Sequence, residues 1–219
     1  MRVVVGKKVH GMDRAALVER ATAYREMAVD FGTGDGRFVL DRARREPEVL
    51  CLGLDAVQAA MRRSSRRAAS KVARGGAPNA LFVVAAVEEL PGDLEGLASR
   101  LTVNFPWGSL LRAVALPDVE VLQRIAAVGR SGARLTALIN YAVFEDDAYR
   151  VRLGLPPMEH LVEGEALPEG WRQAGLEVRR RTLLARDVPH RTSWGQRLVV
   201  GSGRGTLHLE AVKADLEKH

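Results

Sequence analysis

The chain has 219 residues, 47% of them hydrophobic, which suits a single domain with a substantial core. It carries 33 basic and 27 acidic residues, and its net charge of +6 favours a polyanionic partner. No apolar stretch approaches the roughly 20 residues that span a bilayer, and the N-terminus lacks the apolar segment of a secretion signal. We therefore expect a cytoplasmic protein with no membrane partner.

The predicted elements begin with a short hairpin over residues 1–11, after which Asp13 is placed to cap a helix. A segment rich in Pro and Glu near 145–170 predicts an irregular insertion with short helical pieces. In chain order, we expect strands at 27–31, 49–54, 80–85, 101–105, 133–143, 176–184 and 206–212, and helices at 14–24, 37–45, 56–73, 109–116, 119–128 and 169–174.

Strands and helices alternate through the first two thirds of the chain, which is the pattern of a parallel α/β sheet. The first strands are continuously apolar, as is typical of parallel strands buried on both faces. We predict a Rossmann-like α/β fold in one domain over residues 1–219. Its sheet is mostly parallel and seven-stranded, with an antiparallel C-terminal strand and the N-terminal hairpin.

The single cysteine, Cys51, lies in an apolar run, which favours a buried small hydrophobe over a catalytic thiol. One cysteine excludes an internal disulfide. Together with only five scattered histidines, it also argues against a structural zinc site, so we assign no metal site.

A glycine-rich turn at residues 30–36 follows a predicted strand and opens a predicted helix. Glycines at this place allow a tight turn and the close approach of a ligand. The spacing of Gly32, Gly34 and Gly36 is G-x-G-x-G, which is not the dinucleotide fingerprint G-x-G-x-x-G. No Gly-Lys-Ser/Thr sequence follows, so an NTPase is disfavoured as well.

Acidic residues accompany the glycines at the ends of predicted strands. Asp55 lies about 20 residues beyond the glycines, where a carboxylate can accept both hydroxyls of a ribose. It could also cap the next helix. Asp30 can hold an ammonium group, and Glu88 can reach an adenine. Together they favour S-adenosylmethionine over NAD, and with it a class I methyltransferase sheet.

Two of the three tryptophans, Trp107 and Trp194, lie in predicted loops beside a glycine and a serine. Trp171 lies in an amphipathic segment and is expected in the core. Two loop tryptophans that face each other would form a slot for a planar base, as in enzymes that extrude their target base. Ordinary packing of both remains an alternative.

The predicted helix after Asp55 carries no acidic residue from 62 to 74. Its basic side chains at i, i+4, i+8 and i+11 share one face and cannot be neutralised by i,i+4 pairs. Phosphate binding is therefore favoured over a merely solvated face. The candidate RNA-binding residues are Arg62, Arg63, Arg66, Arg67, Lys71 and Arg74, with Arg197 and Arg204 near Trp194.

With these motifs, the chain resembles the aminoglycoside-resistance 16S rRNA methyltransferases that act on N1 of adenine 1408 in the small ribosomal subunit. The resemblance covers nearly the whole chain and is poor only at residues 146–168. Its most specific motifs are Pro-Trp-Gly-Ser-Leu-Leu-Arg at 106–112 and Thr-Ser-Trp at 192–194. The others lie at residues 5–7, 30–36, 54–56, 78–79 and 88–91.

The resemblance implies that Trp107 and Trp194 stack the extruded adenine, and that the basic residues dock on rRNA in the assembled subunit. It also implies resistance of the kanamycin and apramycin type, and we expect a monomer. Residues 104–109 and Ser193 would line the cofactor pocket. The full set of candidate cofactor-binding residues is Asp30, Gly32, Gly34, Asp55, Ala56, Val87, Glu88, Asn104, Phe105, Pro106, Ser109, Thr192 and Ser193.

Adenine N1 carries an in-plane lone pair, so no general base is expected, and catalysis would come from positioning the two reactants. The cationic product could be stabilised by the tryptophan faces. Two alternatives stay open. One is a methyltransferase of the same fold that acts on another RNA base or a small molecule. The other is an RNA-binding protein on a degenerate scaffold.

Overall fold

The structure is a computed structural model that describes residues 1–184 and 205–214. The chain divides into two compact units. Unit 1 comprises residues 1–102 and 128–130, and unit 2 comprises residues 103–127 and those from 131 onward. Among the described residues, no helix combines the length and the apolar character that crossing a membrane requires.

Unit 1 alternates strands with helices, as the sequence predicts. Short 3-10 helices follow the third helix and the fifth strand. In chain order the elements are β1 (Arg2–Val5), β2 (Lys8–Gly11), α1 (Arg14–Ala21), β3 (Glu26–Phe31), α2 (Arg37–Arg45), β4 (Val49–Asp55), α3 (Gln58–Ala68), β5 (Ala80–Val84) and β6 (Ala98–Asn104), the last of which ends in unit 2.

The centre of unit 1 is parallel sheet. β4 lies between β3 and β5, so that Cys51 stands opposite Ala28 on one side and Ala80 on the other. The hairpin of β1 and β2 adds to the β5 edge in antiparallel orientation, and β6 lies beside β3. All but the last residue of β4 are buried. This confirms the prediction that the continuously apolar strands are parallel and covered on both faces.

Two helices of unit 1 begin as their sequences predict. The Asp13 carboxylate accepts from the Ala16 amide at 2.8 Å and caps α1. Gly36 precedes α2 with φ 72°, in the left-handed region. A Cβ at Gly36 would lie 2.5 Å from Cε1 of Phe82, so only glycine brings α2 this close to β5.

The helix after Asp55 is shorter than predicted. It was expected over residues 56–73, but α3 ends at Ala68 because the chain turns back and the Ala77 amide bonds to the Ala68 carbonyl at 3.0 Å. Arg74 lies in a 3-10 helix beyond that point, and Lys71 precedes it. The prediction that both share one helical face with Arg63 and Arg67 is therefore wrong.

In the described part of unit 2, three strands lie in the order β7, β9, β8, and both pairings are antiparallel. The elements that lie wholly or mostly in unit 2 are α4 (Gly108–Ala115), α5 (Val119–Val128), β7 (Gly129–Asn140), α6 (Ala142–Glu145), α7 (Asp147–Leu153), α8 (Met158–Glu163), α9 (Ala166–Gln173), β8 (Leu176–Leu184) and β9 (Thr206–Lys213). Counted with β3 to β6, the described residues contain seven strands after the N-terminal hairpin, which is the predicted number.

The segment near 145–170 is helical rather than irregular. β7 was expected to reach residue 143, but the Asn140 side chain accepts from the Ala142 amide at 3.1 Å and the chain turns into α6. Asp146 caps α7 by accepting from the Tyr149 amide at 2.9 Å, and Gly154 ends that helix with φ 66°. These local caps convert the expected short helical pieces into a succession of short helices.

Trp171 of α9 is fully buried, and its indole Nε1 donates to the Val114 carbonyl at 3.1 Å. Burial with a satisfied N–H is the usual state of a core tryptophan. The prediction that Trp171 belongs to the core is confirmed.

Gly36→Ala is expected to destabilise the protein more than an alanine at another left-handed glycine. The matched control is Gly96→Ala, because Gly96 has φ 71° and no atom lies within 4 Å of the place where its Cβ would stand. The control isolates the backbone cost of about 1–2 kcal/mol. Gly36→Ala adds the collision with Phe82, for a total of about 2–5 kcal/mol. Urea unfolding measures both, and equal losses would contradict the packing role of Gly36.

Candidate functional site

The glycine-rich turn of unit 1 is bonded to the end of β4. Gly32, Gly34 and Gly36 have φ of 67°, 57° and 72°. The Thr33 amide donates to the Leu54 carbonyl at 2.9 Å, and the Gly36 amide donates to the Thr33 carbonyl at 3.0 Å. In the described part of the chain, no atom beyond the neighbouring residues lies within 4 Å of the place where a Cβ of Gly34 would stand, so a ligand can approach the backbone there.

Asp55 is fixed by two backbone amides. Its Oδ2 accepts from Gly34 N and its Oδ1 from Val57 N, each at 2.8 Å. The residue before α3 is Val57, so Asp55 does not cap that helix, and the capping alternative is wrong. Each carboxylate oxygen can accept more than one hydrogen bond. The Asp55 carboxylate is therefore fixed in place and can still accept hydrogen bonds from two neighbouring hydroxyls.

Asp30 is a buried carboxylate at the same end of the sheet. It is 4% exposed, and its Oδ1 accepts from the Thr102 hydroxyl at 2.7 Å. Burying a carboxylate is costly unless polar or cationic groups surround it. Thr102 was not predicted from the sequence, where its signal is a threonine between Leu101 and Val103.

The end of β5 lies next to the end of β4, where Asp55 is. The Ala85 amide donates to the Asp55 backbone carbonyl at 3.1 Å, and the chain then enters a 3-10 helix over Val87–Glu89. Val87 is buried and Glu88 is partly exposed. Because parallel strands bring their carboxyl ends to one edge, unit 1 gathers seven of the predicted residues there. They are Asp30, Gly32, Gly34, Asp55, Ala56, Val87 and Glu88.

In unit 2, a strained turn presents Trp107. Phe105 has φ 50°, which is unusual for a residue other than glycine, and its amide donates to the Leu138 carbonyl at 2.7 Å. Pro106 is buried after it, while Asn104 is half-buried and Ser109 is exposed on the first turn of α4. The Trp107 side chain is 42% exposed. It is therefore no ordinary core residue, in contrast to Trp171.

Tyr149 of α7 contacts this turn. Its ring centroid lies 5.6 Å from that of Trp107 at an interplanar angle of 66°, and its hydroxyl oxygen accepts from the Gly108 amide at 3.1 Å. Sequence reasoning missed Tyr149, because it lies in the segment that was expected to be irregular. The remaining candidates Thr192, Ser193, Trp194, Arg197 and Arg204 lie outside the described residues.

Three basic residues of α3, Arg63, Arg66 and Arg67, line a groove of about 460 Å³. All six described candidates, residues 62, 63, 66, 67, 71 and 74, are exposed. None of the six has an acidic partner within the described parts of the chain. The groove is lined by Arg37, Leu40, Asp41, Arg44, Arg63, Ser64, Arg66, Arg67 and Ser70.

The two α2 arginines of the groove, Arg37 and Arg44, were missed by the sequence analysis. They differ from those of α3, because Arg37 pairs with Asp35 and Arg44 with Asp41, each at 3.3 Å. Exposed pairs of this kind are weak. The groove therefore combines partly neutralised arginines on one wall with unneutralised ones on the other, which suits a polyanion.

Two buried serines position α3. The Ser64 hydroxyl donates to the Asp35 carbonyl of the glycine-rich turn at 2.5 Å. The Ser65 hydroxyl accepts from the Gly6 amide of the hairpin at 3.0 Å. The basic helix is thus bonded directly to the glycine-rich turn on one side and to the N-terminal hairpin on the other.

Cys51 is 1% exposed in the middle of β4. Burial raises the pKa of its thiol from 9.0 to about 12, so the thiol stays protonated at physiological pH. A protonated thiol without solvent access is not a nucleophile. The prediction of a buried small hydrophobe is confirmed.

The parallel strands, the glycine-rich turn and the acidic strand ends of unit 1 define a class I methyltransferase fold, to which similar solved structures also belong. A family model described as 16S rRNA (adenine(1408)-N(1))-methyltransferase matches residues 2–213. The chain belongs to this family.

Similar proteins cover almost the whole chain. A 16S rRNA (adenine(1408)-N(1))-methyltransferase from Streptoalloteichus hindustanus is 38% identical over 200 residues, which is 90% of this chain and 92% of the relative. The antibiotic-resistance methyltransferase Kmr is 44% identical, with a TM-score of 0.83 over 98% of this chain and 99% of that one.

A third similar protein was solved with cosubstrate SAM. It is a tryptophan-to-alanine mutant of the 16S rRNA (adenine(1408)-N(1))-methyltransferase from Catenulisporales acidiphilia. It is 32% identical, with a TM-score of 0.88 over 100% of this chain and 99% of that one.

Proposed function

We propose that the protein transfers a methyl group from S-adenosylmethionine to N1 of adenine 1408 in 16S rRNA, within the assembled small ribosomal subunit, and so confers aminoglycoside resistance. The observation that carries the proposal is the grouping of Asp30, Gly34 and Asp55 at adjoining strand ends, in a chain of this family. The unneutralised arginines of α3 favour RNA over a small-molecule substrate, because a small substrate would give them no role.

The residues at the strand ends fit S-adenosylmethionine. The open space at Gly34 admits a ligand to the backbone, Asp55 has acceptors for the ribose hydroxyls, and Asp30 offers a buried carboxylate to an ammonium group. When bound, the cofactor supplies a methyl group that its sulfonium already activates. The further cofactor-binding residues that we propose are Gly32, Ala56, Val87, Glu88, Asn104, Phe105, Pro106, Ser109, Thr192 and Ser193.

Trp107 is the residue that we assign to the target base. Its exposed ring offers a planar face on which an extruded adenine can stack, and we infer that Trp194 covers the other face of the base. The N1 lone pair needs no general base, so these two residues act by holding N1 in line for transfer. Their π faces also stabilise the positive charge of the methylated base.

The basic residues are assigned to the RNA backbone. Arg62, Arg63, Arg66, Arg67, Lys71 and Arg74 are exposed and have no acidic partner among the described residues, so they can neutralise phosphates. We propose that Arg197 and Arg204 extend this surface. Backbone contacts of this kind fix the orientation of the protein on folded rRNA and leave the choice of base to the tryptophans.

We infer that residues 1–219 form one methyltransferase domain that works as a monomer in the cytoplasm. The family match covers residues 2–213, which supports a single domain. Ribosomal subunits, the proposed substrate, lie in the cytoplasm.

The proposed target is tested by primer extension on 16S rRNA after incubation of small subunits with the protein and S-adenosylmethionine. N1 methylation blocks base pairing, so reverse transcription stops next to adenine 1408. Trp107→Ala is expected to slow methylation by roughly 100-fold, and Trp107→Phe by less, since phenylalanine keeps an aromatic face. A stop at another position would refute the target, and full activity in Trp107→Ala would refute the stacking role.

Asp55→Asn is expected to weaken S-adenosylmethionine binding by roughly 10- to 100-fold, because charge-assisted hydrogen bonds to the ribose are lost and one of the two oxygens that accept from the Gly34 and Val57 amides becomes a donor. Isothermal titration calorimetry measures the affinity. The matched control is Glu120→Gln, the same carboxylate-to-amide change at an exposed residue of α5 that pairs with Arg124. The ribose contact is ruled out if both variants bind the cofactor as tightly as the wild type.

The double variant Arg63→Gln/Arg67→Gln is expected to bind small subunits roughly ten-fold or more weakly, and to lower the slope of log affinity against log salt by about 2. Arg172→Gln/Arg179→Gln is the control, because both arginines are exposed but paired, with Glu169 and Glu177. Cofactor affinity should stay constant in both. An unchanged salt slope in the first variant would argue against phosphate contacts by α3.

A further inference from the structure

We propose that Tyr149 is a positioning residue, which holds the Trp107 indole and the Gly108 amide in the arrangement that receives the target base. The proposal rests on the base-stacking role proposed for Trp107. It assigns a task to α7, a helix in the part of the chain where the family resemblance is poor.

Tyr149 reaches the Trp107 turn through both its ring and its hydroxyl. The ring makes an edge contact with the indole, with centroids 5.6 Å apart and planes at 66°. The hydroxyl oxygen accepts from the Gly108 amide at 3.1 Å. Gly108 is the first residue of α4, and its amide has no carbonyl partner within the helix. One side chain thus fixes the aromatic ring and the backbone immediately after it.

A contact with Tyr149 matters for Trp107 because the Trp107 side chain is half-exposed and meant to receive a ligand in the proposed role. An exposed aromatic side chain exchanges between rotamers on the picosecond-to-nanosecond scale. An edge-to-face neighbour favours one of these rotamers. A stacking residue that is already in place has less freedom to lose when the base arrives, and this lowers the entropic cost of the bound arrangement.

Tyr149 is itself held from two directions. The Arg152 guanidinium carbon lies 4.8 Å from the centroid of its ring, at cation–π distance. Its backbone amide donates to the Asp146 cap at 2.9 Å, which sets the start of α7. Asp146 thus contacts Tyr149, Tyr149 contacts Trp107, and Arg152 lies over the tyrosine ring.

This arrangement favours a positioning role over a purely structural one. Tyr149 is only partly buried and it contacts an exposed ring, so it contributes little to a core. A core contact would stabilise the fold and leave the orientation of Trp107 unaffected. A positioning contact changes the rate of transfer and the environment of one tryptophan, which can both be measured.

The test combines kinetics with fluorine NMR on protein labelled with 5-fluorotryptophan, whose three tryptophans give separate signals. Trp107→Phe assigns the Trp107 signal. Tyr149→Leu is expected to shift that signal by more than its linewidth and to leave the Trp171 signal in place. It should lower kcat for methylation of small subunits by roughly 10- to 100-fold, with KM changed less than about threefold.

The conservative variant Tyr149→Phe keeps the ring and loses the hydroxyl, so its kcat is expected to lie between those of the wild type and Tyr149→Leu. A displaced Trp171 signal would show that Tyr149→Leu has unfolded. In that case, Tyr149→Phe is the variant that tests the proposal. Tyr24→Leu is the control, since Tyr24 follows α1 in unit 1, and it should change neither kcat nor the Trp107 signal.

The double variant Trp107→Ala/Tyr149→Leu should be no slower than Trp107→Ala alone, because Tyr149 acts through Trp107. Losses that multiply would overturn the proposal, as would a Trp107 signal that Tyr149→Leu leaves unmoved. Full activity in Trp107→Ala would overturn the stacking role instead. The NMR signal separates the two failures, because it reports the contact between Tyr149 and Trp107 whatever that contact does for catalysis.

Discussion

The hydrogen bond from the Gly34 amide to the Asp55 carboxylate is the contact on which the arrangement of unit 1 depends. It joins the turn after β3 to the end of β4, two places that are 21 residues apart in the chain. Parallel pairing of β3 and β4 brings these ends together, and the bond then fixes the backbone and the carboxylate against each other. A ligand that reaches Gly34 consequently meets Asp55 in a set position, with little reorganisation left to do.

The basic helix depends on the same turn. Ser64 bonds α3 to Asp35, one residue after Gly34, and Ser65 bonds it to the hairpin. These buried polar bonds anchor α3 to its neighbours, while Val57 at its start supplies no side-chain cap. The helix therefore keeps its exposed arginines at a fixed place relative to the glycine-rich turn, although its own sequence, rich in arginine and serine, contains few apolar residues for a core.

Much of this could be predicted from the sequence, because the signals are local. The glycine spacing, the acidic strand ends and the capping by Asp13 depend on neighbours within a few residues. The end of α3 could not be predicted, since the returning chain at Ala77, ahead of β5, bonds to Ala68 and ends the helix there. Tertiary contacts between residues that are far apart in the sequence position Thr102, Arg37 and Tyr149. From the sequence such contacts are visible only through weak signs, such as a threonine between two apolar strand residues.

Gly34 and Gly36 lie two residues apart in one motif but are subject to different constraints. A side chain at Gly36 would collide with Phe82, whereas a side chain at Gly34 would enter open space. In a library of variants sorted by cellular abundance, position 36 should be intolerant, whereas position 34 should show only the milder loss that its left-handed backbone imposes. In the same library sorted by growth on an aminoglycoside, both positions should be depleted. The motif thus carries two separate constraints, one from folding and one from the proposed ligand.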